Sequence, residues 1–462
     1  MILKKRDIDM VSGTLFGKMI VFALPIMVMN FLQLLFNAAD MIIVGHFANK
    51  EALAAVGAAG PLINLLVNLF MGLSVGTSVI VSKDYGGHKY NEVSQSVHTS
   101  MAISIIAGVV VMVLGFVFCK PLLSMMGTPE DIIDLSSLYM LIYFAGIPAT
   151  MVFNFGAAIL RAVGDSQRPL YYLTIAGISN IFLNLIFVIL LKMSVAGVAL
   201  ATAISQYLSM VLIIICLIRS HGAIGFIPKE MRIYKDKLKT ILKVGLPAGI
   251  QGLLFSVSNA VVQSAVNSFG TVMVAANSAA GNVEGFVGTT MNAYYNTAIT
   301  FTGQNMGAKK YDRIDRIAKI STALIFVTWI ILGGIILLFG RSLLGIYTPD
   351  SEIIDFGMQR MQIMMAVYFI CGVMLVFPGL TRAMGYSILP MLSTLIGACV
   401  LRIVWLATIF ARTPTIFTLY VCYPITWAIA GIGQVGIFFY ARWQIRRKGG
   451  ADTEPKISMG SV

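Results

Sequence analysis

Of the 20 acidic residues in this chain, two, Asp40 and Glu284, lie well inside long apolar stretches, with Asp355 at the very edge of another. A carboxylate set among apolar side chains is costly to hold, so it points first to the handling of protons or cations. Asp40 ends the series Asn30, Gln33, Asn37 and Asp40. Steps of three, four and three residues put all four on one helix face, turned away from hydrocarbon. Asp40 also lies about five residues, or about 7 Å, from the end of its stretch, so an interfacial aspartate is the alternative reading. Glu284 shares a face with Asn277, Gly281, Gly288, Asn292 and Tyr295. Small and polar residues around one carboxylate suit the wall of a cavity that binds a positively charged molecule. The competing reading is helix packing through Gly281, Gly285 and Gly288, with Glu284 neutral and hydrogen-bonded.

Other polar residues carry less by themselves. Asn180 and Asn184 are four apart on one face, and Thr202 lies in the next apolar stretch. Isolated amides of this kind most often bond one helix to another. Arg402, also in an apolar stretch, could steer anions, pair with Glu284 or snorkel outward. The four histidines and five cysteines have no metal-ligand spacing, and the scattered, odd set of cysteines reads as small buried hydrophobes. No Gly-rich phosphate loop ending in Gly-Lys-Ser/Thr occurs, which argues against direct use of ATP. The expectation is a protein that is not an enzyme and has no cofactor, its driving energy coming from an ion gradient or a partner.

The elements that must position these residues follow from composition. The chain is 58% hydrophobic and 11% charged, against about 45–50% and about 25% in soluble domains. Runs such as Met101–Phe118 match the roughly 20 residues that cross a bilayer core. Marking every such run predicts an all-α integral membrane protein with twelve transmembrane helices, near 17–44, 55–81, 94–119, 135–160, 170–191, 195–218, 241–267, 271–302, 318–340, 354–380, 390–411 and 418–441. The first is too long for a signal-peptide core. With the N-terminus inside, 26 of the 33 lysines and arginines fall in inside segments. The outside loops hold only Lys50, Lys120, Lys192, Arg341 and Arg412, while Arg360 and Arg402 lie within spans. This positive-inside bias accounts for the formal charge of +13 without nucleic acid and predicts cytoplasmic termini in a cell membrane.

The chain also aligns with itself at an offset of 221. Arg161-Ala-Val-Gly164-Asp-Ser166 meets Arg382-Ala-Met-Gly385-Tyr-Ser387, and Gly86-Gly-His-Lys89-Tyr90 meets Gly307-Ala-Lys-Lys310-Tyr311. The matches fall after the second and fourth helices of each half. Six helices per repeat is an even number, so the two lobes are expected to be parallel, related by a pseudo-twofold axis along the membrane normal. The predicted division is a lobe at 1–218, a cytoplasmic linker at 219–240, a second lobe at 241–441 and a tail at 442–462. Duplicated lobes suggest alternating access around a central cleft.

At this point the residues resemble a family. Leu24-Pro25 with Asp40 and Gly45, Leu53-Ala-Ala-Val-Gly57, Gly72-Leu-Ser-Val-Gly76, Gly164-Asp165 with Arg168-Pro169, and Gly197-Val-Ala-Leu-Ala-Thr202 are similar to the multidrug and toxic compound extrusion (MATE) transporters. In the second half, Gly245-Leu-Pro247 and Gln304-Asn-Met-Gly307-Ala308 fit the same pattern. The resemblance implies a monomer embedded in the lipid bilayer that exports large, often cationic, amphipathic compounds in exchange for H⁺ or Na⁺. It also implies an ion site at Asp40, Asn180, Asn184 and Thr202. Asn184 stands where many members carry a second carboxylate, which weakens the case for Na⁺ at Asp40, Asn180 and Thr202 and favours H⁺. Substrate contacts are expected from Glu284, Asn37, Asn277 and Asn292. A lipid-linked-precursor flippase of the same superfamily is the rival, and its anionic cargo would favour a basic cavity.

Overall fold

A computed structural model of the chain describes residues 8–48, 50–220 and 222–447. Among these residues the chain is helical and has no strand. The helices follow the expected order: α1 Leu15–Phe47, α2 Lys50–Gly86, α3 Tyr90–Met125, α4 Glu130–Ala162, α5 Gln167–Leu190 and α6 Ser194–Arg219. In the second half come α7 Lys235–Asn267, α8 Thr271–Gly307, α9 Tyr311–Gly345, the broken helix α10 (Ser351–Ala366 and Tyr368–Ala383), α11 Ile388–Phe410 and α12 Ile416–Arg447. Ten of these are apolar and long enough to cross a bilayer, and α10 makes an eleventh if its halves are taken together. The remaining helix, α8, is the polar one that carries Glu284. Large apolar side chains such as Leu338, Ile432 and Phe439 stand well exposed, as hydrocarbon-facing positions must. The protein is a multi-pass membrane protein.

The repeat is visible in the backbone. His88 and Lys309, 221 apart, both take positive φ (55° and 57°) at the turn after the second helix of their half. Gly164 and Gly385 do the same (103° and 96°) after the fourth, where only glycine enters without strain. A π-helical segment at Leu185–Leu190 returns at Leu406–Phe410, again 221 later.

The chain divides into two compact units, one built on Ile20–Leu253 and the other on Met10–Met19 with Leu254 onward. This boundary departs from the predicted linker, because the first half of α7 packs on α2 at backbone distance. A Cβ on Gly72 would lie 2.1 Å from the Gly249 nitrogen, and one on Gly249 would lie 1.9 Å from the Leu69 oxygen. The 219–240 segment is itself bound to the first unit. The Ile227 N–H donates to His98 Nε2 at 3.2 Å, the Tyr234 N–H to Thr99 Oγ1 at 3.1 Å, and Lys237 Nζ to Asp84 at 2.8 Å. In the second unit, the residues before α1 are held by side chains of α8 and α9. Asn305 donates to the Met10 carbonyl at 3.0 Å and Arg313 to the Gly13 carbonyl at 3.1 Å. Of the predicted tail, residues 442–447 continue α12, and the rest lies outside the described residues.

Candidate functional site

In the first unit, α1, α5 and α6 meet around Asp40. The approach of α1 to α5 depends on Gly177, where a Cβ would lie 1.8 Å from Cε2 of Phe36. Phe36 is one turn before Asp40 and Gly177 nearly one turn before Asn180, so this contact sets the carboxylate beside the amide pair. Asn184 donates to Asp40 Oδ1 at 2.6 Å and to Asn180 Oδ1 at 3.2 Å. Asn180 donates to the Thr202 hydroxyl at 3.3 Å, and that hydroxyl donates to Asp40 Oδ2 at 3.5 Å. The four residues thus form one hydrogen-bonded ring. Asn184 is fully buried and its Oδ1 has no partner, leaving an acceptor oxygen one bond from the carboxylate. Among the described residues, no lysine or arginine pairs with Asp40. Asn184 immediately precedes the π segment Leu185–Leu190, a feature frequent at functional sites. Asn37 is exposed and does not join the ring.

Such a ring can do two things. A carboxylate with neutral partners can gain or lose a proton, with the amides reorienting to accept or donate. The same oxygens, with the orphaned Asn184 Oδ1, could face a small cation.

In the second unit, a cavity of about 490 Å³ lies among α7, α8, α10, α11 and α12. Glu284 and Asn277 both line it, whereas Asn292 is exposed on α8 and accepts from Asn296 at 2.9 Å. Glu284 is not a free carboxylate. Arg360 clamps it with both arms of its guanidinium, Nε at 3.0 Å from one oxygen and NH2 at 2.6 Å from the other. Arg360 also donates to Asn277 and stacks 5.3 Å from the Tyr420 ring centre. The Glu284 partner is therefore Arg360 and not Arg402. Arg402 instead stacks on Tyr423, 4.2 Å from the ring centre, and donates to Asn259 Oδ1 at 3.1 Å and Ser258 Oγ at 3.4 Å.

Arg360 is positioned by the break in α10. The two halves bend by 56° at Val367, with no proline there. At the break the backbone tightens to three-residue bonds, Val367 N–H to the Met364 carbonyl at 3.4 Å and Ile370 N–H to the Val367 carbonyl at 3.0 Å. Trp329 Nε1 inserts a further donor to the Met365 carbonyl at 2.6 Å. Met364 and Tyr368, on either side of the break, both line the cavity. Arg360 was the residue whose role sequence reasoning did not find. The available signal was its position inside an apolar span, since membrane-buried charges usually pair with one another.

Comparison with known proteins gives two matches to the MatE family model, at residues 25–186 and 247–408. They begin at Pro25 and Pro247, one in each half of the repeat. The chain is 26% identical over 379 residues to the probable multidrug resistance protein YoeA of Bacillus subtilis, covering 80% of this chain and 82% of that protein. It is also 26% identical over 395 residues to the probable multidrug resistance protein YpnP of the same organism, covering 85% and 88%. A solved outward-facing multidrug resistance MATE family transporter of the MOP superfamily superposes with a TM-score of 0.88 at 22% identity, covering 96% of this chain and 99% of that one.

Proposed function

The chain belongs to the MatE family of transporters and is not an enzyme, and from that premise we propose that it is a secondary active multidrug exporter. It moves amphipathic small molecules outward by antiport, with a proton as the coupling ion and Na⁺ as the alternative. It needs no resident cofactor, works as a monomer, and sits in the cell membrane with both termini cytoplasmic. The names of YoeA and YpnP support the drug-export reading. The observation that carries the coupling is the ring around Asp40, a half-buried carboxylate bonded, among the described residues, only to Asn184 and Thr202. One carboxylate among neutral groups suits exchange of one proton, because Na⁺ favours several charged oxygens. The cationic cargo expected from the sequence would have to displace Arg360 to reach Glu284. It depends more on the aromatic wall of the second-unit cavity, Tyr368 and Trp427.

The test uses purified protein in proteoliposomes loaded with ethidium as a fluorescent cation. A pH gradient and a Na⁺ gradient are imposed separately. The pH gradient should drive ethidium movement in the wild type, and Asp40→Asn should abolish it while the protein stays folded. An amide neither takes up a proton at these pH values nor presents charge to Na⁺. The gradient then cannot shift the populations of the two access states. Wild-type rates in Asp40→Asn vesicles would sink this assignment of the coupling site.

A further inference from the structure

The second-unit cavity holds two guanidiniums, Arg360 and Arg402, against one carboxylate, Glu284. Since Arg360 takes both Glu284 oxygens, the charge left over is that of Arg402. This side chain is 1% exposed and, among the described residues, is bonded only to the neutral oxygens of Asn259 and Ser258 and has no partner for its Nε–H. No ion pair joins Arg402 to a carboxylate among the described residues. A desolvated guanidinium without a counter-ion is costly, and its planar fork is shaped for two parallel bonds to a carboxylate or phosphate. Tyr423 covers one face of the guanidinium, which leaves the edge that carries Nε as its bonding side. The rest of the lining is mixed: Gln263, Asn277, Ser278 and Asn282 are polar, while Phe255, Met364, Met374, Leu375 and Trp427 supply an apolar and aromatic side. A volume of about 490 Å³ lies in the range of small-molecule sites.

We propose that this cavity is a binding subsite for the anionic head of an amphipathic organic molecule, a carboxylate or a phosphate, with Arg402 as its cationic partner and the methionine and aromatic side chains against its apolar body. The inference rests on the reading of the chain as an exporter of amphipathic molecules and deepens it by adding anions and zwitterions to the cargo. Glu284 has a defined part in this arrangement. By holding Arg360, it keeps the cavity at one net positive charge and sets a modest affinity, which a transporter needs in order to release its cargo.

The experiment measures equilibrium binding without any ion gradient, so its outcome is independent of the coupling site. Full-length protein in phosphatidylcholine nanodiscs is titrated with 1-pyrenebutyrate and with the neutral 1-pyrenebutanol, following energy transfer from tryptophan to pyrene. The wild type should bind the acid at least about tenfold more tightly than the alcohol. Arg402→Gln should remove that preference while still binding the alcohol, which also reports that the protein is folded. Arg402→Lys should keep part of the preference, and Glu284→Gln should strengthen acid binding by freeing Arg360. Nanodiscs with phosphatidylglycerol separate the two sources of the anion. Weaker acid binding there, in the wild type but not in Arg402→Gln, would identify a lipid phosphate as occupant, and unchanged binding would identify a free amphiphile. Equal affinity for acid and alcohol in the wild type, or an acid preference that survives Arg402→Gln, would overturn the proposal.

Discussion

Replacing Glu284 by glutamine should destabilise the second unit. Both partners of the Glu284–Arg360 pair are buried, with side-chain exposures of 7% and 10%, and the carboxylate is held at both oxygens. Removing one member of a buried pair typically costs about 3–5 kcal/mol, because the remaining charge has no counter-ion. One feature of the site softens this. The glutamine oxygen can still accept one charged hydrogen bond, worth about 1.5–3 kcal/mol, while the contact of Arg360 with Tyr420 is the same before and after. The midpoints of the two ranges, about 4 kcal/mol lost and about 2 kept, leave a net loss of about 2 kcal/mol. The assay is thermal unfolding in detergent of the wild type, Glu284→Gln, Arg360→Gln and the double variant. Each single change should lower the transition clearly. The double variant should be less destabilised than the two losses added together, with a coupling of about 1–3 kcal/mol. Additive losses, or a Glu284→Gln transition equal to the wild type, would refute the pair and return Glu284 to the free carboxylate expected from the sequence.

Three further outcomes follow. Asn184→Asp sets a second carboxylate where an amide now lies 2.6 Å from Asp40. The two cannot both ionise without a cation between them, so proteoliposome transport should become stimulated by Na⁺, which parallel H⁺- and Na⁺-gradient assays would read. Gly177→Ala should separate α1 from α5, because the new Cβ meets the Phe36 ring. The expected overpacking cost is about 1–3 kcal/mol, and Phe36→Ala in the same chain should recover part of both melting temperature and transport. Cysteine introduced as Glu230→Cys should react only with cytoplasmic reagents, and as Asp350→Cys only from outside. Labelling in intact cells reads this cleanly, since all five native cysteines are buried.

Much of the fold was legible because a bilayer imposes length and apolarity on each helix. The duplication was legible because its clearest matches lie in turns whose backbone is special, such as Gly164 and Gly385. The first-unit ring was legible only as a set of residues. Asn180 and Asn184 share a helix face by spacing, but nothing in their spacing brings Asp40 within 2.6 Å. That depends on Gly177 admitting Phe36, a contact between residues 141 positions apart. In the second unit, face periodicity placed Asn292 with Glu284, yet the cavity extends along α8 only in the other direction, toward Asn277. The partner of Glu284 was hidden for a related reason. Two arginines lay in apolar spans, and the choice between them follows from a bend in α10 that no proline announces. The first compact unit runs past the polar linker to Leu253, because α2 and α7 approach closely through Gly72 and Gly249, a contact that composition does not announce.

The two sites together bear on how the membrane potential acts on export. If the ring around Asp40 exchanges one proton per cycle, the sign of the cargo decides the charge moved. A monovalent cation leaving as a proton enters carries no net charge. A monovalent anion leaving as a proton enters moves two positive charges inward. Each charge is worth about 2.3 kcal/mol per 100 mV, so an inside-negative potential of that size adds about 4.6 kcal/mol to anion export and nothing to cation export. Potassium–valinomycin potentials imposed on the same proteoliposomes separate the cases, with Asp40→Asn vesicles giving the passive background. Efflux of 1-pyrenesulfonate, a permanent anion, should accelerate as the interior is made negative, and ethidium efflux should not. Acceleration of ethidium efflux as well would require more than one proton per cycle, and the single-carboxylate ring could not supply it.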